Sequence, residues 1–198
     1  TEPHAKEFFA EKSEFIEEPK RISPWRDKFE RLKTQDVDFA FYLKFNTKLQ
    51  SMTPEHFIEA VLNNLNIKQL TIGDDFKFGY QRKGDYEMLF DWGKANQIIV
   101  EKTPTFSKDN RRCSSSWIRE ALSKDDFNLA AELLGRSYTY SGKVVNGNSL
   151  GRTIGVPTAN LWLPKSNLPI KGVYAVKVKI ETESYQGIAN MGVRPTIG

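Results

Sequence analysis

At 198 residues the chain is long enough to bury a real core as one large domain or two small ones. With 39% hydrophobic and 27% charged residues, and no apolar run near the roughly 20 residues of a membrane span, the composition excludes a helical membrane protein and fits a globular one. The net charge of +4 is spread over interleaved Lys, Arg, Asp and Glu, which argues against a nucleic-acid footprint and leaves anionic small molecules as ligands.

The sequence begins at Thr1, and Thr1 to Phe9 has neither a basic start nor an apolar middle, so no signal peptide is read and the true N-terminus is expected upstream. Lys12 to Lys33 reads as partly helical, interrupted by Pro19 and Pro24, a small subdomain or a lid. Val37 to Leu43 is a β-rich apolar run. Thr53-Pro54 then opens a helix with a capping hydroxyl and a proline at the first helical position. Phe57, Ile58, Val61, Leu62 and Leu65 share one face of it. Gln69 to Gly73 reads as a strand, Tyr86 to Lys94 as a helix and Ile98 to Glu101 as another strand. This alternation predicts a parallel sheet. Helices over Ser115 to Leu122 and Asp125 to Leu134 close the region, with Gly135 as the C-terminal cap.

The pattern then changes. From Tyr138 the runs YTYSGKVV, TANLWL, VYAVKVKI and YQGIANMG are short, β-rich and separated by Gly, Asn and Pro, which predicts a second, small antiparallel barrel domain. The barrel reads as unfinished at Gly198. Cys113 stands alone and so excludes an internal disulfide, and His4 and His56 lack zinc-site spacing, so the cytoplasm is the expected compartment.

Three segments can carry chemistry. Arg111 to Arg119 (RRCSSSWIR) puts hydroxyls at the mouth of a helix between arginines, which suits a phosphate; ordinary serine N-capping explains the same residues. Gly73 to Gly79 (GDDFKFG) follows a strand and falls where open α/β sheets bind ligands. There Asp75 can accept hydrogen bonds and Phe76 or Phe78 can cover a planar ring; the alternative is a turn with core aromatics. Gly142 to Asn160 is glycine-rich and ends in Pro157-Thr158-Ala159-Asn160, whose hard oxygens suit Mg²⁺, although hairpins of any small barrel also use glycine. Trp25, Trp92 and Trp162 are read as core, His4 as surface, and Lys77 to Lys83 as a solvated loop.

In order, TEPHAKEFF, GDDFKFG with RKGD, SSSWIREAL, AAELLGRSY, GRTIGVPTAN, GVYAV and GIANMGVRPTIG resemble the bacterial bifunctional riboflavin kinase/FMN adenylyltransferase (FAD synthetase) family. The resemblance implies a Rossmann-like α/β nucleotidyltransferase domain over 1–137 and part of a six-stranded riboflavin kinase barrel over 138–198. It implies FAD biosynthesis: riboflavin to FMN, then FMN to FAD, each step with ATP and Mg²⁺. By the same resemblance, Arg112, Ser115, Ser116 and Arg119 bind ATP phosphates, as do Gly151, Arg152, Gly155 and Pro157 on the kinase side. Pro3, His4, Asp75 and Phe76 belong to the flavin pocket, and Thr158 and Asn160 hold Mg²⁺.

Trp117 stands where the family usually has an arginine, Ser116 where it has threonine, Val156 where it has phenylalanine and Ala5 where it has proline. The family's HxGH-type motif is not in the sequence, and its kinase glutamate is expected beyond Gly198. The chain therefore reads as an internal fragment, inactive alone, with no catalytic residue of its own. Its expected ligands are ATP, riboflavin and FMN, with no nucleic acid, membrane or obligatory protein partner. The rival readings are another small-molecule nucleotidyltransferase, of pantetheine-phosphate or nicotinamide type, and a flavin- or nucleotide-binding protein without turnover.

Overall fold

Capping residues set the helices where the sequence places them. In the computed structural model, which describes residues 1–146, 158–162 and 168–192, Thr53 accepts from the His56 amide and Pro54 opens the helix. Asp85, Ser114 and Asp126 cap three further helices by accepting from the amides three residues ahead. Gly135 ends the last of these in the left-handed conformation, as read from the sequence.

The chain divides into two compact units, Thr1–Glu18 with Phe41–Cys113, and Pro19–Ala40 with Ser114–Gly198. The first contains α1 (Ala5–Ala10), α3 (Thr47–Ser51), α4 (Pro54–Ala60), β1 (Gln69–Ile72), α5 (Tyr86–Ala95), β2 (Ile99–Lys102) and a hairpin, β3 (Ser107–Lys108) with β4 (Arg111–Arg112). Strands β1 and β2 pair in parallel, from Gln69 opposite Ile99 to Ile72 opposite Lys102, and α5 connects them. Ile58, Leu62, Ile72, Phe78, Leu89 and Val100 form the core of this unit. The helix packs tightly on the strand because residue 93 is glycine: a Cβ there would stand 2.8 Å from the Ile98 carbonyl oxygen and closer still to Val100.

The second unit contains α2 (Trp25–Lys33), α6 (Ser115–Ser123), α7 (Phe127–Leu134) and strands β5 (Lys143–Val145), β6 (Asn160–Trp162), β7 (Gly172–Ile180) and β8 (Glu183–Met191). The pairs β5–β6 and β7–β8 are antiparallel. Ile118, Ala121, Leu122, Ala130 and Ile170 make its core, with Ile22, Phe127 and Tyr174 packed against them. Both helices that follow β4 therefore share a core with residues of the β-rich region. All four β-rich runs contain the strands expected of them.

Other expectations need correction. Val37 to Leu43 is not a strand; the nearest pairing is a single parallel bridge between Glu2 and Lys44, and Phe39 and Phe41 are exposed. A β-rich run becomes a strand only when a neighbour takes up its backbone groups. The helix opened by Pro54 stops at Ala60 and continues as a 3₁₀ turn over Leu62–Asn64, so Leu65 leaves the apolar face. Trp162 is 57% exposed rather than core, while Trp117 is the tryptophan that is buried. Among the described residues, no helix is long and apolar enough to cross a membrane.

Candidate functional site

The carboxyl edge of the β1–β2 pair gathers groups from three segments. The Thr103 amide donates to Ile72 O at 2.8 Å, which brings the chain after β2 alongside the chain after β1. Beyond it, Thr105 donates through its hydroxyl to the Asp74 carboxylate. Arg112, on β4, reaches both acids: its Nη2 lies 2.7 Å from Asp74 Oδ1 and 3.0 Å from Asp75 Oδ1. The hairpin holds Arg112 there, because Asp109 and Asn110 both take positive φ and turn β3 directly into β4.

The Thr105 hydroxyl, followed by the Arg112 charge, holds the Asp74 carboxyl below its ordinary range, and the hydrogen bond to Asp75 raises the Arg112 guanidinium. The cluster therefore sets two acidic side chains against one guanidinium, with Asp75 and Arg112 reaching solvent. A phosphate arriving here can compete for the Arg112 fork.

The two aromatics of this loop separate into different roles. Phe78 is buried, and it exchanges backbone hydrogen bonds with Gly84 at 3.0 and 2.9 Å. Phe76 stacks on it with ring centroids 5.8 Å apart and keeps its other side exposed. Phe76 is thus the ring free to cover a planar ligand, and Phe78 is its support. Lys77, in the loop read as solvated, pairs with Asp85 at 3.1 Å.

Pro3 and His4 lie at the start of the same unit, where the His4 ring accepts from the Lys6 amide at 3.2 Å and Glu7 accepts from the His4 amide at 2.9 Å. His4 is exposed, as the sequence suggested, and works as a cap.

In the second unit the cap of α6 is Ser114, whose Oγ accepts from the Trp117 amide at 3.3 Å. Ser115 and Ser116 follow it with exposed side chains at the first two helical positions, where the helix dipole favours an anion. The capping and phosphate readings thus fall on neighbouring serines. Arg119 donates from Nε to Lys20 O at 2.6 Å. Thr158 and Asn160 are exposed, Asn160 at the start of β6 opposite Val145. Gly151, Arg152, Gly155 and Pro157 lie outside the described residues.

Arg112 and Asp75, predicted for separate sub-sites, come together through one ion pair. Sequence reasoning missed Asp74 and Thr105 as its companions. The available signal was Thr103-Pro104-Thr105, a pair of hydroxyls directly after a strand predicted to be parallel, hence on the ligand-binding edge.

Comparison with known proteins bears on the whole length. A family model described as FAD synthetase matches residues 2–117, and one described as riboflavin kinase matches residues 134–198. A bifunctional riboflavin kinase/FMN adenylyltransferase of Haemophilus influenzae is 48% identical over 181 residues, which are 90% of this chain and 59% of that protein. The Escherichia coli K12 protein of the same name is 40% identical over 181 residues, 90% of this chain and 58% of its own. A crystal structure described as a macrolide-efflux protein from Streptococcus pneumoniae matches with a TM-score of 0.75 at 30% identity, over 99% of this chain and 60% of that one. The chain spans about three-fifths of the length of these relatives. With the FAD synthetase model matching more than half of it and the riboflavin kinase model following in order, the chain belongs to the riboflavin kinase/FMN adenylyltransferase (FAD synthetase) family.

Proposed function

We propose that the intact protein makes FAD in the cytoplasm in two ATP-dependent steps, phosphorylation of riboflavin to FMN and adenylylation of FMN. On this reading residues 1–137 belong to a nucleotidyltransferase domain, and residues 138–198 contribute to a small antiparallel kinase barrel that needs neither nucleic acid nor an obligatory protein partner. The observation that carries the reading is the Arg112 fork between Asp74 and Asp75 at the carboxyl edge of a parallel strand pair, in a chain whose two halves match models for the two activities.

In adenylylation the FMN phosphate attacks the α-phosphorus of ATP and pyrophosphate leaves, so the protein's task is to position and to balance charge. Arg112, Ser115, Ser116 and Arg119 supply donors to phosphate, while Asp75 and the free side of Phe76 face the flavin. Pro3 and His4 border that pocket. In phosphorylation the ribityl 5′-hydroxyl attacks the γ-phosphorus of ATP, and Gly151, Arg152, Gly155 and Pro157 are assigned to binding its phosphates. Thr158 and Asn160 offer exposed hard oxygens that fit Mg²⁺, which supplies charge neutralisation between phosphate oxygens when bound. The residues assigned here bind and position; none is assigned the chemical step.

Incubation of the full-length protein with riboflavin, ATP and Mg²⁺, followed by chromatography of the flavins, tests the reading. FMN followed by FAD is expected. Adenylylation of another phosphorylated substrate with no flavin product would support a different nucleotidyltransferase, and flavin binding without turnover would support a binding protein. Asn160→Ala should abolish FMN formation while leaving the conversion of supplied FMN to FAD; equal loss of both contradicts the separation of sites.

A further inference from the structure

The two acids that flank Arg112 are held unequally. Asp74 is fixed from several directions: the Thr105 hydroxyl donates to Oδ2, Arg112 Nη2 lies 2.7 Å from Oδ1, and the Asp75 amide donates to the same carboxylate. Thr105 follows closely on Thr103, whose amide donates to Ile72 O at 2.8 Å, so this anchor is built on the strand pair. The Asp75 carboxyl meets Arg112 alone among the described residues, at 3.0 Å. Its side chain is 72% exposed, against 30% for Asp74.

Both acids approach the same nitrogen, Nη2, and so share its two N–H bonds out of the five that a guanidinium carries. The Arg112 side chain is 45% exposed, so the place that Asp75 fills opens to solvent and a ligand reaches it without a buried cavity. Water screens an exposed ion pair and leaves it weak, whereas a phosphate brings more charge and two oxygens that match the fork. The exposed contact is therefore the one that exchanges, while the anchored contact stays.

We propose that Asp74, held by Thr105, is a positioning residue for Arg112, and that the Asp75 carboxyl stands in the place of a substrate phosphate and leaves Arg112 when that phosphate arrives. On the adenylylation reading given above, on which this rests, the phosphate belongs to ATP or to FMN, and the test separates the two. Neighbouring acids on one guanidinium thus act on phosphate binding with opposite sign.

Full-length protein is titrated calorimetrically with inorganic pyrophosphate in the absence of divalent cations. In parallel, KM for ATP and KM for FMN are measured with Mg²⁺ in the conversion of supplied FMN to FAD. Asp75→Asn keeps an acceptor oxygen but withdraws the competing acid, and should tighten pyrophosphate about two- to fivefold. Asp74→Asn should weaken it about threefold, because a neutral partner holds the guanidinium less firmly. The two variants remove the same group from the same guanidinium, so a purely electrostatic effect would give both the same sign. Thr105→Val, which loosens the anchor without touching Arg112, should also weaken binding. In an Arg112→Gln background none of these substitutions should change it. The substrate whose KM falls in Asp75→Asn is the one whose phosphate takes its place. The exchange is overturned if Asp75→Asn binds pyrophosphate no more tightly than wild type, or if FAD is made and neither KM falls. The positioning role is overturned if Asp74→Asn and Thr105→Val leave binding unchanged or tighten it. Persistence of the effects without Arg112 overturns both, since the phosphate is then held elsewhere. A protein that binds pyrophosphate in the expected way but makes no FAD overturns the adenylylation reading and leaves the exchange standing.

Discussion

Asp74 shows how one hydroxyl can set the state of a charged cluster. Its carboxyl lies below the ordinary value of 3.8, and the largest contribution comes from the Thr105 hydroxyl rather than from the Arg112 charge. Thr105→Val and Arg112→Gln should therefore each move the Asp74 titration back toward that value, read from the carboxyl carbon shift in NMR. An unchanged Asp74 titration in Thr105→Val would show that the hydroxyl does not depress it. The sign of the pH dependence follows from the depressed value. Whatever the Asp74 contacts contribute to stability is fully present above the ordinary carboxylate range and is lost as pH falls through the depressed value. In Thr105→Val this acid loss should be smaller, because less of the depression remains. If FMN adenylylation uses this cluster, the same variant should raise KM for FMN more than it lowers kcat, because the Thr105 hydroxyl is engaged with Asp74.

At the scale of the element, tight packing and capping give separate tests. Gly93→Ala places a methyl against Ile98 O and Val100, and the gain in helix propensity does not offset the clash between α5 and β2. A loss of about 1–3 kcal/mol in urea denaturation is expected. Ser114→Ala should cost about 1 kcal/mol through the lost cap of α6. The helix ends were legible because local chemistry decides them: Thr53, Ser114 and Gly135 act on backbone groups within four residues. The β3–β4 hairpin was not, since strands this short show no alternation and its Asp109-Asn110 turn lacks glycine. Val37 to Leu43 failed for the opposite reason, a strong local preference with only a single bridge nearby. The strand end and the serine-capped helix were legible as elements, but the joining of Arg112 to Asp74 and Asp75 depends on two turns closing together, which no local pattern encodes.

Across the whole molecule, two hydrophobic clusters support two units, and each has one fully buried leucine, Leu89 in the first and Leu122 in the second. Leu89→Ala and Leu122→Ala should each cost about 2–5 kcal/mol, and hydrogen exchange should localise the loss to the unit concerned. Uniform loss of protection in both variants would show that the units unfold together. The second unit is discontinuous, with residues 19–40 separated from 114–198 by most of the first. Asp27 and Ser141 stand 114 residues apart in the chain. At a ribosomal rate of about 5–20 residues per second, α2 emerges on the order of ten seconds before the serine that satisfies its buried acid. Throughout that interval the nascent helix must stay hydrated and unclaimed, so codon changes that slow translation between these positions are predicted to lower the yield of correctly folded protein without altering a single amino acid.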